Sequence, residues 1–561
     1  VDRKPPRASS DEIDLYVRTY YSLLRSSTAV RVRAFEEMHL FSRSSLHLNA
    51  EGPIPDLAAF AYSAARLPDC MPQVRQVVLG QNPRQFAHVG MSLSSWTIVR
   101  SRGRRRPMRY DGDQTLAVFI ASASDIDDLV PIVTSYQIEW NKIRECLLGA
   151  RFSKASDLDD DAALTSALGI DAAGIATLRA ALGESWRDRL LYLLEHECDL
   201  SMRLLDGSFR EYQRSAQRWF HAIAATLPAS RPVYFVSSNG HSIANLLGGY
   251  ALRHRDEIVD FLRRVNPEGL AAQLDAALAK GEEAKVAHIL YYSLRAFLHE
   301  PGQQHRLDDV QRADTSFGIR NIPSPGRIDV DAQVVELSRL DPQSLDPRVR
   351  VPGLERLAGS SAVILNIDYP LGMAAYHHLA AVALGVEELR GIYVMGKAAT
   401  LNGRVGDVMI PKVVHDEHSA NTYLFRNAMS AADVQPYMRH GTVLDNQKAV
   451  TVRSAFLQNR DYMDVFYREG YTVMEMEAGP YLSAIYEIAE PKRHPKDELV
   501  RISDTGFELG MLHYASDTPY SRRQSLLSKS LSYFGMESTY GCAIAIARRI
   551  FQREIALLGG P

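Results

Sequence analysis

The chain has 561 residues, 46% of them apolar and 23% charged, with 64 Lys+Arg against 67 Asp+Glu and a net charge of -3. This length exceeds the roughly 250 to 300 residues that one hydrophobic core can serve, so two or three folded units are expected. The near balance of charge excludes a global field that would draw the protein to nucleic acid or an anionic membrane, so nucleic acid is not an expected partner.

Cys70, Cys146, Cys198 and Cys542 form no CxxC pair, which argues against a disulfide framework or a cysteine zinc site. No apolar run of about 18 residues occurs and VDRKPPRASS contains no apolar signal core, so no membrane contact and a cytoplasmic location are expected. From Asp11 to Leu46 apolar residues recur at helical spacing, with Ser10-Asp11 as the cap. The arginine-rich stretch Arg100 to Asp113 then breaks the pattern, and LAVFIASAS leads into a long helical segment from Asp125 to Leu148, the form of a strand followed by a crossover helix. The same form recurs at PVYFVSSNGHSIANLL, Pro232 to Leu247, with helical blocks at Asp157 to Leu227 and Asp256 to Leu298.

Residues 8–310 therefore read as a helix-rich mixed α/β region, suited to a lid, regulatory or specificity role. Residues 311–352 read as a proline-rich connecting segment, because IPSPGR and LDPQSLDPRVRVPG are polar and weakly periodic. From 353 to 561 the rhythm is regular. SAVILNIDYPLG, LRGIYVMGKAATL, RVGDVMIPKVV, YTVMEMEAG and LGMLHYASDT read as strands ending in turns, with helices between them. Such alternation predicts an α/β domain of three layers around a mostly parallel sheet. Ligands bind at the carboxyl ends of the strands in sheets of this kind.

That rule selects three loops: Met395 to Thr400 (MGKAAT), Glu475 to Gly479 (EMEAG) and Ser516-Asp517-Thr518. Glu475 and Glu477, one residue apart, would repel each other on a fully extended strand, so a turn is expected to send one into the cleft and leave the other to the backbone. Asp517, at a strand end, has the setting of a general acid if burial raises its pKa, or of a simple turn cap.

VMEMEAGPYLSAIYE resembles the Met-Glu-Met-Glu-Ala segment of the nucleoside phosphorylase and nucleosidase superfamily, which includes purine nucleoside phosphorylase, methylthioadenosine/S-adenosylhomocysteine nucleosidase and AMP nucleosidase. GIYVMGKAATLNGRVGDVMIP, GTVLDNQKAVTVRSAFL and YASDTPY resemble three further superfamily segments, in the same order. The resemblance covers only the part of the chain from Ser361 onward and implies cleavage of the N-glycosidic bond of a purine nucleoside or nucleotide. It implies Glu477 on the ribose hydroxyls with Glu475 and Met476 beside the sugar, Asp517 as acid to the leaving base, and Phe456 and Ser516 against the base. It also implies a homo-oligomer and no cofactor or metal.

The superfamily's phosphate-gripping Gly-Asp-Pro-x-Arg loop has only a loose substitute in DPQSLDPRVRVPG, and GKAAT stands where Gly-Ser-x-Gly is usual. Lys397, with Gly396, is accordingly expected to hold a phosphate or carboxylate of the substrate, or else to block that position. These departures favour hydrolysis over phosphorolysis. The alternatives are a phosphate-dependent phosphorylase and a non-catalytic nucleotide-binding sensor that keeps the fold.

Other features carry less. Arg102, Arg104, Arg105, Arg106 and Arg109 read as a solvated or salt-bridged loop, or as an anion site. SSNGHS, Ser237 to Ser242, lacks a full glycine-rich fingerprint. His196-Glu197-Cys198 and His377-His378 read as helical and not metal-binding, and His415 or His418 as a residue that could line the cleft.

Overall fold

The computed structural model describes residues 11–205, 208–227, 230–325, 328–490, 493–518 and 535–559. Two sheets organise an α/β chain. The first contains β1 (Val30–Arg31), β2 (Gln76–Gly80), β3 (Thr97–Val99), β4 (Met108–Tyr110), β5 (Thr115–Phe119) and β6 (Ser201–Leu204), in the order β1-β6-β2-β5-β4-β3. Its centre is parallel, β2 pairing with β5 and β6, and there the runs VVLG and LAVF are buried throughout, as a strand covered on both faces requires.

The helix Ala123–Gly149 follows β5 and starts from a capping box between Ser122 and Asp125. It is amphipathic only toward its end. Its first four turns are buried all round and include Asp125, Asp127 and Asp128, so these carboxylates must find partners inside the protein.

The second sheet contains β7 (Val233–Ser238), β8 (Ile319–Ile322), β9 (Ala332–Glu336), β10 (Val363–Asp368), β11 (Leu389–Thr400), β12 (Val408–Asp416), β13 (Thr422–Phe425), β14 (Val443–Thr451), β15 (Tyr471–Glu475), β16 (Leu499–Ile502) and β17 (Glu508–Asp517). β7 lies between β10 and β11 and is parallel to both. β11, β15, β14, β12 and β17 pair successively and close into a five-stranded ring. β11 serves both halves: its first residues pair with β7, and Ala399 and Thr400 pair antiparallel with β15.

This topology corrects the expected boundaries. β7, assigned from sequence to residues 8–310, is internal to the second sheet, and the segment 311–352, expected to be a connector, supplies β9, which pairs with β10, and the edge strand β8. The apolar cores divide accordingly: one gathers residues from Ile13 to Met202, and two others begin at Ala216 and Tyr234. Strand partners are chosen by burial of the whole sheet, and a short edge strand needs too few apolar residues to stand out in a polar, proline-dense segment.

Phe456 and Leu457 are the exception, since they cross over and pack in the first core. Phe456 is 1% exposed. Its ring stands edge-on to Tyr62 at 5.3 Å and lies 5.8 Å from His39. The neighbouring backbone is tied to the same region, Ser45 N–H donating to the Gln458 carbonyl at 2.6 Å and Asn459 Nδ2 to the Ser42 carbonyl at 3.1 Å. Among the described residues no helix is long and apolar enough to cross a membrane. Because Phe456 joins the two regions, Phe456→Ala is expected to cost about 3 to 5 kcal/mol of stability, read as a lowered urea midpoint; a change below about 1 kcal/mol would mean that the two regions do not depend on this contact.

Candidate active site

A cavity of about 490 Å³ opens where the carboxyl ends of β7, β10, β11, β15 and β17 meet residues that follow β5. One wall carries Asn239, Asp368, Tyr369, Lys397, Glu475, Met476, Glu477, Ser516 and Asp517. The facing wall comes from the first region, with Tyr62, Arg66, Arg104, Arg105, Arg106 and Phe119 among its residues. Parallel strands end here because their crossover helices must turn back, which leaves a crevice above the strand ends.

The two glutamates of MEMEA part company as repulsion between them requires. Glu475 ends β15 and is 5% exposed. One of its oxygens accepts the N–H groups of Glu477 and Ala478 at 2.6 Å each, at the start of the helix Ala478–Ala489, and the other accepts the Thr451 hydroxyl. Thr451 Oγ1 accepts in turn from Gly479 N–H at 2.8 Å. Burial and the nearby charge of Glu477 push the Glu475 carboxyl up to about 8, against the pull of these donors. With both oxygens engaged, Glu475 organises the turn and is not placed as a sugar ligand.

Glu477 is half-buried and turns into the cavity, held by the Gly372 N–H at 3.2 Å. Burial raises its pKa, opposed by that N–H, by the Arg104 guanidinium and by His418. Met476 lies between the two carboxylates and also lines the cavity.

Asp517 owes its aim to a bulge. β17 runs parallel to β11 in register until Ala398 faces Ala515, and then Ala399 faces Asp517, so Ser516 is the extra residue. Ser516 Oγ donates to Asp517 Oδ2 at 2.7 Å, whereas Asp517 Oδ1 is buried with no hydrogen-bond partner among the described residues. Burial raises the Asp517 pKa over the opposing influence of Ser516, Lys397 and Arg66. A largely desolvated carboxyl at a cavity wall, with a raised pKa, is suited to giving a proton.

The expected loop from Met395 to Thr400 is strand throughout, because it is needed to close the ring. Lys397 projects into the cavity, and burial lowers its pKa against the attraction of Asp517. Gly396, expected at an anion, does not line the cavity. A Cβ there would stand 2.9 Å from the Tyr369 hydroxyl, so the glycine gives room to the Tyr369 ring. Phe456, expected against the base, lies in the first core instead, and the aromatic rings that line the cavity include Tyr62, Phe119, Tyr369 and Tyr514.

The arginine stretch is salt-bridged at its centre, through Arg104, Arg105 and Arg106, while Arg102 and Arg105 remain exposed. Arg104 Nε and Nη2 donate to Asp128 at 3.1 and 2.9 Å, and Arg106 donates to Asp125 at 2.9 Å and to Asp128 at 3.0 Å. Arg105 pairs with Asp368 across the cavity mouth. Asp125, Asp128 and the arginines were visible in sequence, but nothing in their spacing shows that they meet Glu477. Arg66 and Tyr62, on the helix Leu57–Arg66, left no signal at all, since they read as an ordinary helix end.

In SSNGHS, Asn239 Oδ1 accepts the N–H groups of His241 and Ser242 at 3.2 and 2.7 Å, so the side chain occupies donors that an anion would need. His415 bonds Thr422 away from the cavity, and His418 lies behind Glu477 between Asp416 and Ser124 at 2.9 and 3.3 Å. His377 and His378 are buried in the helix Ala374–Gly385, and His196 to Cys198 follow the helix Trp186–Glu195 and are not part of it. In DPQSLDPRVRVPG, Arg348 is committed to Asp346 at 2.7 Å, outside the cavity. Among the described residues no group of three or more His, Cys, Asp or Glu is placed to hold a metal ion.

Residues 32–552 match the family described as "Family of unknown function (DUF6909)". The chain belongs to this family. No curated protein matches the sequence. Similar solved structures include a methylthioadenosine phosphorylase from an Antarctic soil metagenomic library, 11% identical over 43% of this chain and 80% of that one, with a TM-score of 0.27. A methylthioadenosine/S-adenosylhomocysteine nucleosidase from S. pneumoniae is 12% identical over 45% of this chain and 94% of its own, with a TM-score of 0.27. A futalosine hydrolase from Helicobacter pylori is 12% identical over 42% and 91%, again with a TM-score of 0.27. Values this low bear on neither substrate nor mechanism.

Glu475 allows a test of this geometry. A carboxyl whose folded pKa is raised to about 8 from 4.5 stabilises the fold fully below the lower value, and that contribution is lost as pH rises to the upper one. Glu475→Gln removes this dependence, so the stability difference should move in favour of the variant between about pH 5 and pH 8.5 in urea titrations. A difference independent of pH, or moving toward the wild type, would mean that Glu475 is ionised in the native protein.

Proposed function

We propose that this cavity cleaves the N-glycosidic bond of a purine nucleoside or nucleotide, by hydrolysis in preference to phosphorolysis. The observation that carries the reading is the placing of two unlike carboxyls in one cavity. Glu477 sits beside a guanidinium, and Asp517 is desolvated with an oxygen unpartnered among the described residues. Breaking the bond between the anomeric carbon and the base nitrogen leaves the electron pair on the base and a cationic sugar. Asp517 gives its proton to the base as the pair arrives, which makes the base a neutral leaving group. Glu477 accepts the ribose hydroxyls and its charge favours the cationic sugar, with Met476 packed against the ring. Water adds at the anomeric carbon and returns a proton to Asp517.

Ser516 holds one oxygen of Asp517, so the other is the one that faces the base. Tyr62, Phe119 and Tyr369 offer the aromatic surface that Phe456 does not. Hydrolysis is favoured because both arginines of the segment that loosely substitutes for the phosphate-gripping loop are engaged outside the cavity, Arg348 with Asp346 and Arg350 with the carbonyls of Gln343 and Leu345. The order of motifs from Ser361 onward supports the same reading, which places the chain alongside the nucleoside phosphorylase and nucleosidase superfamily.

The test is release of free purine, followed by chromatography, from a panel of nucleosides and nucleotides with and without inorganic phosphate. Release without phosphate is expected, and Asp517→Asn should lower it by about 10²- to 10⁴-fold with the thermal midpoint little changed. Release that requires phosphate would sink the hydrolytic reading. Failure of every substrate, or full activity in the variant, would remove the glycosidic reading or the acid role.

A further inference from the structure

Among the described residues that line the cavity, Arg66 and Lys397 are cations without an ion-paired carboxylate. Arg104, Arg105 and Arg106 are each paired, whereas among the described residues no acidic oxygen lies within ion-pair distance of Arg66 or Lys397. Arg66 lies over the Tyr62 ring with its guanidinium carbon 3.3 Å from the centroid. Nη1 donates to the Tyr62 carbonyl at 3.1 Å, and Nε is buried with no partner among the described residues. Both side chains line the same cavity, and burial lowers the pKa of each; Asp517 opposes this for both and Asp128 for Arg66, while the charge of Arg66 adds to the lowering of Lys397.

A guanidinium has five donors, and with Nη1 on a carbonyl and Nε unpartnered among the described residues, Arg66 keeps donor capacity that matches the oxygens of a planar or tetrahedral oxyanion. Leaving such a group buried and unpaired is costly, and a neighbouring ammonium makes it more so. Both costs fall when an anion enters between them. Both cations also oppose protonation of Asp517, so an anion that neutralises them would favour the protonated acid.

We infer that Arg66 and Lys397, contributed by the two regions of the chain, form a subsite for a phosphate-type oxyanion next to Asp517. The anion is carried by the substrate as a sugar phosphate or supplied free, and it joins the two walls of the cavity. This rests on the cavity being the substrate site described above, and it adds a demand for negative charge that the glycosidic chemistry alone does not make.

The experiment measures binding separately from turnover. Purine nucleoside 5′-monophosphate, the parent nucleoside and inorganic phosphate are each titrated by calorimetry against the wild type, Arg66→Gln, Arg66→Lys and Lys397→Ala. The wild type should bind the monophosphate or inorganic phosphate, and each variant should bind that anion at least about tenfold more weakly. Arg66→Lys, which keeps the charge but loses the fork, guards against misfolding of the glutamine variant, and Lys397→Ala alters a side chain exposed in the cavity.

Weakening confined to the monophosphate assigns the anion to the substrate, and weakening toward inorganic phosphate assigns it to a free ion. Wild-type affinity for both in all folded variants, or no binding of either to the wild type, overturns the subsite. Base release with unaltered anion binding refutes the subsite and leaves the glycosidic reading standing. Anion binding that needs Arg66 and Lys397, with no base released from any substrate, does the reverse.

Discussion

The buried ion network of Arg104, Arg106, Asp125 and Asp128 is the constraint on which the cavity depends. Arg106 and Asp128 each have side chains 1% exposed, so neither charge has water to fall back on. Removing one partner of such a set leaves an uncompensated buried charge, which is far more costly than the set itself is stabilising. The network therefore holds the segment from Arg104 to Arg106 rigidly on the first turns of the helix Ala123–Gly149. That helix start is itself docked on the second sheet, where Ser124 Oγ accepts the Met373 N–H at 2.9 Å. Arg104 is thereby kept on the cavity wall, where its charge acts on Glu477, Arg105 pairs with Asp368, and the cavity gains its second wall.

Each chemical group on the sheet side is set by a local departure from regular structure. The bulge at Ser516 turns Asp517 inward, and the turn after β15, tied by Glu475 and Thr451, turns Glu477 inward. Both departures are held by hydrogen bonds that a single substitution removes. A site built this way keeps its two carboxyls apart in character: one lies beside a guanidinium, the other in a largely dry corner with an oxygen unpartnered among the described residues. Such divergence in environment lets two like groups take unlike roles.

Much of this was legible along the chain. The strands from Val363 to Asp517 announce themselves by apolar runs ending in small or acidic residues, and the carboxyl-end rule then selects Lys397, Met476, Glu477, Ser516 and Asp517, all of which line the cavity. Glu475 was legible as one of a pair that must separate, though not as the one engaged by the backbone. Phe456 was misread because a buried aromatic next to a pocket segment looks the same in sequence whether it faces the pocket or the core behind it. Gly396 was misread because a glycine that admits a distant tyrosine ring resembles one that admits a ligand.

The sequence by itself determined most of the local alphabet: the long buried strands and helices from Val363 onward, and which acidic residues stand near the strand ends. These follow from periodicity and burial of nearby residues, which short stretches encode. Only the tertiary structure decided that β7 belongs to the second sheet, that the proline-dense segment supplies its last two strands, and that Arg66 and Arg104 line the wall across from Asp517 and Glu477. Those facts rest on contacts between residues hundreds of positions apart, where the free energy comes from closing a sheet and pairing buried charge, and no local pattern records the partner.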